Sequence, residues 1–191
     1  MNMLTDSHDA VTADWAAALL DFWFNKVGEQ GWWKHDPRLD RQCVKRFSSL
    51  WEEKQRLSAE TFLDRADDAL AAVLLFDQLP RNMFRGTARA FATDDLARQV
   101  ARGAIAQGYD IQIGGAGRLF FYMPFQHSEE LEDQKLSLNL FQAAGDKPSL
   151  EFARQHHALI ERFGRFPHRN ALLGRETLPE EQEAAQENAH W

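Results

Sequence analysis

Two short stretches of the sequence are rich in arginine and contain no acidic residue. Residues 78–93 hold three arginines, and residues 162–175 hold four. An arginine fork binds the oxygens of a carboxylate or a phosphate in bidentate pairs, which the ammonium group of lysine does not do. Because the chain as a whole carries a net charge of −7, this concentration predicts either a site for an anion or a set of internal ion pairs.

Imidazole and carboxylate side chains accompany these arginines. His127 and Glu129 follow an aromatic segment at the predicted start of a helix, and His168 and Asn170 lie within the second arginine-rich stretch. A histidine beside anion-binding forks has the pKa range of a general acid or base. We predict that the two stretches and the aromatic segment converge on one site. The candidate ligand-binding residues are Arg81, Arg85, His127, Glu129, Arg162, Arg165, His168, Arg169 and Asn170.

The same arginines have an architectural interpretation. Irregular loops need side-chain donors for their carbonyl groups, and nearby carboxylates such as Glu129 and Asp133 are natural partners for the forks. Asp77 follows five apolar residues, so we expect its carboxylate to be buried and to be held by charged donors. Both interpretations remain open from the sequence, and the negative net charge disfavours nucleic acid as a partner.

Metal, cofactor and nucleophile chemistry receive little support. His127 and Glu129 lack the i, i+4 spacing of a helical zinc site. Ser128 is explained as a helix cap, and the glycine-rich residues 110–117 lack the lysine of a phosphate-binding loop. Cys43 lies on an apolar helix face, which is typical of an inert thiol. We therefore expect no metal and no cofactor.

The elements that must position these side chains are helices. Apolar residues recur at helical spacing, and no segment sustains the alternation of a strand. The predicted helices span about 12–26, 37–55, 59–76, 93–107, 128–144 and 149–163, with a last one after the capping box at Thr177. Pro80 is predicted to end the third helix, residues 110–117 to form a loop, and residues 119–125 a short aromatic segment. The fold class is all-α, with about seven helices packed as antiparallel pairs.

The length of 191 residues predicts one domain, 1–191, with a core from about 12 to 182 and a weakly ordered tail from 183 to 191. The longest apolar run, residues 69–76, is far below the roughly 18–20 residues of a membrane span. Residues 1–14 contain three Asp and no apolar core, unlike a signal peptide. We expect a cytoplasmic protein with no membrane or nucleic-acid partner, and the oligomeric state remains open.

Three strings in the chain resemble a bacterial family. They are D-Q-L-P-R-N at 77–82, Y-M-P-F-Q-H-S-E at 122–129 and R-F-G-R-F-P-H-R-N at 162–170. In these strings the chain resembles the bacterial domain-of-unknown-function family 924, and the resemblance runs from about residue 14 to residue 182. The resemblance implies an all-helical, tetratricopeptide-like right-handed superhelix, and it implies no established reaction.

These residues favour a binding module whose pocket, lined by arginine and histidine, holds an anionic small molecule or an acidic peptide. The alternative is an enzyme that acts on an anionic substrate with His127 or His168 as the acid–base group. The shape of the site distinguishes them, because a small closed cavity favours chemistry and a long open groove favours a peptide.

Overall fold

All regular structure in the part of the chain that the structure describes is helical. The computed structural model describes residues 15–187, and those residues contain no strand. The all-α prediction is thus confirmed. Residues 12–14 of the first predicted helix, the segment 1–14 and the last four residues of the predicted tail lie outside the described residues. The right-handed superhelix that the resemblance implies stays a prediction.

The helices follow one another with short connections. The α-helices are α1 (Trp15–Leu20), α2 (Glu29–Trp32), α3 (Pro37–Lys54), α4 (Ala66–Val73), α5 (Leu79–Met83), α6 (Asp94–Ala106), α7 (Tyr109–Ile113), α8 (Gly115–Gln126), α9 (Leu131–Ala144), α10 (Lys147–Phe163) and α11 (Gln182–Glu187). π-Helical turns at Asp21–Val27 and Leu74–Gln78 extend α1 and join α4 to α5. Short 3-10 turns lie at Ala59–Phe62, Ala88–Phe91, Pro167–Arg169 and Pro179–Glu181.

The segment from α4 through α5 is the central helix of the molecule. Every residue from 69 to 80 is buried, as expected for a helix that is apolar on all sides. Helix α4 packs against α1, α6 and α8, and the π-helical turn that follows contacts α3, α6 and α8. Asp77 lies in this π-helical turn and is therefore carried into the middle of the protein.

Pro80 does not end this helix, which corrects the prediction. The chain continues as α5 to Met83, with Pro80 in its first turn. A proline has no N–H to donate to the carbonyl four residues earlier, which here is that of Phe76. The hydroxyl of Thr93 donates to the Phe76 oxygen at 2.7 Å and accepts from Trp51 Nε1 at 3.1 Å. Tertiary contacts thus supply the bond that the proline removes.

The glycine-rich segment is helical, contrary to the predicted loop. Helix α7 ends before Gly114, whose φ of +62° suits a residue without a Cβ, and α8 starts directly after it. Gly117 lies inside α8, where a Cβ would meet Leu70 Cδ2 at 3.2 Å and Ile113 Cγ2 at 2.5 Å. The glycines therefore mark a helix boundary and a close approach of two helices.

The last two long helices form an antiparallel hairpin. Gly145 and Asp146 connect α9 to α10, and Asp146 Oδ1 accepts from Ser149 N at 2.8 Å, which caps α10. Ser128 is not the N-cap of the next helix, which corrects the prediction: that helix starts at Leu131 with Glu130 as its N-cap, and Ser128 Oγ accepts from Glu130 N at 3.1 Å in the turn before it.

Three further predictions are corrected or confirmed outside this hairpin. Only half of the predicted capping box forms, one residue later than predicted: Glu181 accepts from the N–H of Leu178 at 2.8 Å, and a leucine side chain has no oxygen for the reciprocal bond. The third predicted helix begins at Ala66, after the 3-10 turn at Ala59–Phe62. Cys43 is fully buried, and burial raises the pKa of its thiol to about 12, as expected of an inert thiol. Within residues 15–187, no helix has both the length and the apolar character needed to cross a membrane.

Candidate functional site

A cavity of about 850 Å³ opens between the end of α2, the central helix, α8 and the α9–α10 turn. Its cationic lining side chains are Lys34, Arg81, Arg85, Arg118 and Arg169. Four histidines also line it: His35, His127, His156 and His168. The acidic side chains in its lining are Glu29 and Asp146. The surface of the cavity is therefore rich in groups that bind anions.

The structure brings five of the nine predicted site residues to this cavity and leaves four outside it. The five that line it are Arg81, Arg85, His127, His168 and Arg169. The four that do not are Glu129, Arg162, Arg165 and Asn170. The prediction that all nine residues converge on one site is therefore wrong for these four.

Asp77 lies directly behind the cavity wall and is fully buried, as predicted. Its carboxylate accepts from His127 Nδ1 at 2.7 Å and from Gln78 Nε2 at 2.6 Å, and Arg81 lies 3.5 Å away. Burial alone would raise the pKa of Asp77, but His127 and then Arg81 outweigh it and lower that pKa below its ordinary value. Asp77 is therefore a buried anion at neutral pH.

His127 is oriented by this carboxylate. Since a carboxylate only accepts, the 2.7 Å contact makes Nδ1 the donor and leaves Nε2 as the nitrogen available to the cavity. The side chain of His127 is 17% exposed. A neutral ring held in this tautomer presents an acceptor at Nε2, and a protonated ring presents a donor. The pair has the arrangement of a carboxylate-oriented acid–base group.

Arg81 and Arg169 share one carboxylate, that of Asp94. Arg81 Nη2 donates to Asp94 Oδ2 at 3.0 Å, and Nη1 lies 2.9 Å from Oδ1. Arg169 Nη1 is 3.8 Å from Asp94 and donates to the carbonyl of His127 at 2.9 Å. We call Asp77, Arg81, Asp94, His127 and Arg169 the cavity cluster. Its second guanidinium has only a distant counter-charge.

The Arg169 guanidinium is held between two aromatic rings. It lies 4.7 Å from the centroid of Phe91 and 4.3 Å from that of Phe166, within the range of cation–π contacts. Burial, and after it the positive charge of Arg81, lowers the pKa of Arg169 to about 10. Its Nε is buried and has no hydrogen-bond partner among the described residues. The aromatic rings fix the position of the Arg169 guanidinium, whose ion-pair partner Asp94 is 3.8 Å away.

Two further histidines at the cavity are neutral at pH 7. Burial, followed by the charge of His127, lowers the pKa of His156 to about 3, and its Nδ1 donates to the carbonyl of Phe152 at 2.8 Å. Burial, followed by the charge of Arg169, lowers the pKa of His168 to about 4. His156 is therefore a buried, hydrogen-bonded imidazole. Among residues 15–187, no group of three or more His, Cys, Asp or Glu side chains is arranged to hold a metal ion.

Three of the four residues outside the cavity belong to a second cluster of ion pairs. Glu129 accepts from Arg175 at 2.7 and 2.9 Å and from the N–H of Phe166 at 2.8 Å. The carboxylate of Glu181 accepts from Arg165 at 2.6 and 2.8 Å and from Asn170 at 3.1 Å. We call this set the C-terminal clamp: Glu129, Arg165, Asn170, Arg175 and Glu181. It fastens the irregular segment 164–176 to the turn that precedes α9 and to the 3-10 turn that precedes α11.

Arg162, the fourth residue outside the cavity, is exposed. Its guanidinium lies 4.6 Å from the ring centroid of the adjacent Phe163. The sequence pattern missed Arg118, which does line the cavity and whose Nε donates to Tyr122 Oη at 2.6 Å. Tyr122 in turn donates to Asp110 at 2.6 Å. The i, i+4 spacing of Arg118 and Tyr122 would have indicated this contact if the segment had been recognised as helical.

The fold and the cavity define an all-helical protein whose site is rich in arginine and histidine. Residues 19–188 match a family of bacterial proteins of unknown function, DUF924, and the chain belongs to that family. The resemblance drawn from the three strings is therefore confirmed.

Among solved structures, the chain is similar to a protein of unknown function from Agrobacterium tumefaciens. The two are 42% identical with a TM-score of 0.87, over 93% of this chain and 99% of that one. No protein of curated function matches the chain.

Proposed function

We propose that the cavity binds a small organic anion. The observation that carries the proposal is Arg169, which is 6% exposed, lines the cavity and has a buried Nε without a partner. A buried cation with too little counter-charge is costly to the folded protein. An anionic ligand in the cavity would supply the missing counter-charge.

The other arginines of the cavity support the same proposal because carboxylates behind them fix their positions. Asp94 holds Arg81, and Asp40 accepts from Arg85 Nε at 2.8 Å and from its Nη2 at 3.0 Å. Side chains ordered in advance lose little entropy when a ligand arrives. The arrangement favours recognition of a negatively charged group by several forks.

The size of the cavity favours a small molecule over an acidic peptide. Its volume of about 850 Å³ falls within the range of about 300–1,000 Å³ that is usual for small-molecule sites. The cavity is bounded on several sides by different helices and the α9–α10 turn, whereas a peptide requires an extended groove. We therefore retain the small anion as the proposed ligand class.

The test compares two arginines from the same irregular segment. Thermal unfolding of the wild-type protein is measured with inorganic phosphate and with a panel of carboxylates. A ligand at 100 times its Kd adds about 2.7 kcal/mol to the free energy of unfolding. We expect Arg169→Met to lose the response and Arg175→Met, which alters the clamp, to keep it.

Two results would contradict the proposal. One is that no anion of the panel raises the melting temperature of the wild-type protein. The other is that Arg169→Met responds to the anions as the wild-type protein does. The clamp variant controls for a general loss of stability, because it removes a guanidinium from the same segment without touching the cavity.

A second candidate function, acid–base catalysis on the bound anion, is favoured by the contact of 2.7 Å between Asp77 and His127. Of the two imidazoles considered in the sequence, His127 is the one held by a buried carboxylate. We expect His127→Gln to bind the anion but not to convert it, as followed by NMR of the ligand. Equal conversion by the wild-type protein and His127→Gln would exclude this role.

A further inference from the structure

The two mostly exposed aromatic side chains in the described part of the chain both line the cavity. Trp33 is 61% exposed and Phe152 is 51% exposed. Large aromatic side chains are among the costliest to leave in water, because each removes a large apolar area when it is buried. Their presence together on one cavity is an observation that the anion-binding groups do not explain.

Trp33 is held in position by its neighbours. Its ring is stacked on Phe120, with centroids 6.2 Å apart and planes 13° apart, and it meets Trp32 edge-on at 6.1 Å. Trp32 is itself fixed, because its Nε1 donates to the carbonyl of Trp23 at 2.8 Å. The exposed ring is therefore a supported surface at the end of α2.

Phe152 lines the same cavity from a different element, helix α10. One turn further along α10, His156 donates to the Phe152 carbonyl, and His156 also lines the cavity but is buried. Along this turn of α10, the exposed fraction of the lining side chains falls from Phe152 to His156. Leu119 and Met123 of α8 and Pro148 of α10 add apolar lining. The exposed rim of the cavity holds these two aromatic rings beside Lys34 and His35, and its buried floor holds charged and imidazole groups.

We infer that the ligand is amphipathic: an anionic group bound at the floor by Arg81 and Arg169, joined to an aromatic or other apolar body that packs against Trp33 and Phe152. This inference rests on the proposed function, because it concerns the same cavity. It narrows the ligand class to aryl- and alkyl-bearing carboxylates or phosphates. Short, fully polar anions would use only the floor and leave the aromatic rim in water.

The experiment measures Kd by calorimetry for two matched pairs of anions, acetate with 3-phenylpropionate and methyl phosphate with phenyl phosphate. Within each pair the charged group is the same and only the apolar body differs. We expect the aromatic member to bind about tenfold more tightly or better, from the apolar area that it buries. The better of the two pairs identifies whether the floor prefers a carboxylate or a phosphate.

The variants assign this advantage to the rim. In the double variant Trp33→Ala, Phe152→Ala, we expect the ratio of the two Kd values to fall to about one. In Arg169→Met both members should weaken together. Ile111→Ala is the matched control, since Ile111 is 64% exposed and apolar but does not line the cavity, and its ratio should equal that of the wild-type protein.

The outcomes separate the two proposals. Equal affinities within each pair for the wild-type protein would overturn the amphipathic ligand and leave the anion site intact. An unchanged ratio in the folded double variant would also overturn it, because the aromatic rim would then bind nothing. Failure of all four anions to bind would overturn the proposed function, and this inference with it.

Discussion

The cavity cluster and the C-terminal clamp are built from the same side chains but pair them differently. In the clamp each carboxylate receives its own arginine fork, Arg175 for one glutamate and Arg165 for the other. In the cavity cluster the carboxylate of Asp94 serves both Arg81 and Arg169. Each region holds two carboxylates and two forks, but Asp77 in the cavity cluster accepts from His127 at 2.7 Å, and Arg169 has its nearest paired carboxylate, Asp94, at 3.8 Å. The distance from a fork to its carboxylate, rather than the type of residue, separates a structural tie from a candidate site.

Unpaired atoms alone do not make this distinction. The Nε atoms of Arg169 and Arg175 are both buried without a hydrogen-bond partner among the described residues. Arg175 has Glu129 at 2.7 Å and does not line the cavity, whereas Arg169 has Asp94 at 3.8 Å and does. Access to the cavity together with a missing counter-charge is what marks Arg169.

The largest effect that we expect comes from removing the buried carboxylate of the cavity cluster. Asp77→Ala leaves His127 and Arg81 without it in a fully buried position. Breaking a buried charged pair on one side costs about 3–5 kcal/mol, so we expect that loss in the free energy of unfolding measured with urea. Asp67→Ala, an exposed carboxylate in the first turn of α4, is the control. A folded Asp77→Ala protein with the stability of the control would contradict this expectation.

The second prediction compares the stability of two arginine variants. Arg175→Met leaves Glu129, whose side chain is partly buried, without its fork. We expect a loss of about 1–3 kcal/mol, the cost of an unsatisfied charged group. Arg169→Met places an apolar chain between Phe91 and Phe166, where it removes an underpaired cation, and we expect a smaller loss. Urea unfolding of both proteins tests the order, and the reverse order would show that Arg169 is the structural tie.

The spacing of apolar residues in the sequence was enough to predict the fold class and the burial of Asp77. Apolar residues at helical spacing predicted the all-α class, and the five apolar residues before Asp77 predicted its burial. The helix beyond Pro80 and the helix at residues 115–126 were missed, because tertiary contacts override the usual effect of proline and glycine. The Thr93 bond to the Phe76 carbonyl is one such contact.

The pairing of the arginines could not be predicted from the same patterns. A stretch without acidic residues indicated unpaired forks, but the partners come from distant helices. Asp40 on α3 pairs with Arg85, forty-five residues later, and Glu181 precedes α11 and pairs with Arg165. Because the carboxylate that pairs with each arginine is set by tertiary contacts, the sequence alone could not separate the clamp from the cavity cluster.

The third prediction uses pH to separate the two regions. The pKa values of His156 and His168 are lowered by burial to about 3 and about 4. Below pH 6.5 the unfolded chain binds protons that the folded protein does not, so stability falls on acidification. Each histidine contributes up to about 1.4 kcal/mol per pH unit. The pKa values of the clamp glutamates Glu129 and Glu181 lie below 4.5 in the folded protein, so their contribution is lost only under more acidic conditions.

Urea unfolding at pH 7.5, 6.5, 5.5 and 4.5 therefore reports mainly on the cavity side. We expect His156→Gln to reduce the slope of stability against pH, and Glu181→Gln to leave that slope unchanged above pH 4.5. His157→Gln, the neighbouring and more exposed histidine on α10, is the control. A wild-type slope in His156→Gln would show that this histidine does not carry the pH dependence.

The smallest effect is expected at Arg162, which the sequence grouped with the site and the structure places outside it. Its guanidinium is exposed and lies 4.6 Å from the ring centroid of Phe163. Such a contact at an exposed position is worth about 0.5–1 kcal/mol at most, and a surface substitution usually changes stability by less than about 0.5 kcal/mol. Arg162→Ala should thus keep both the stability and the anion affinity of the wild-type protein. A clear loss of affinity in this variant would extend the site beyond the cavity, and it would weaken the distinction between a paired clamp and an underpaired cavity cluster.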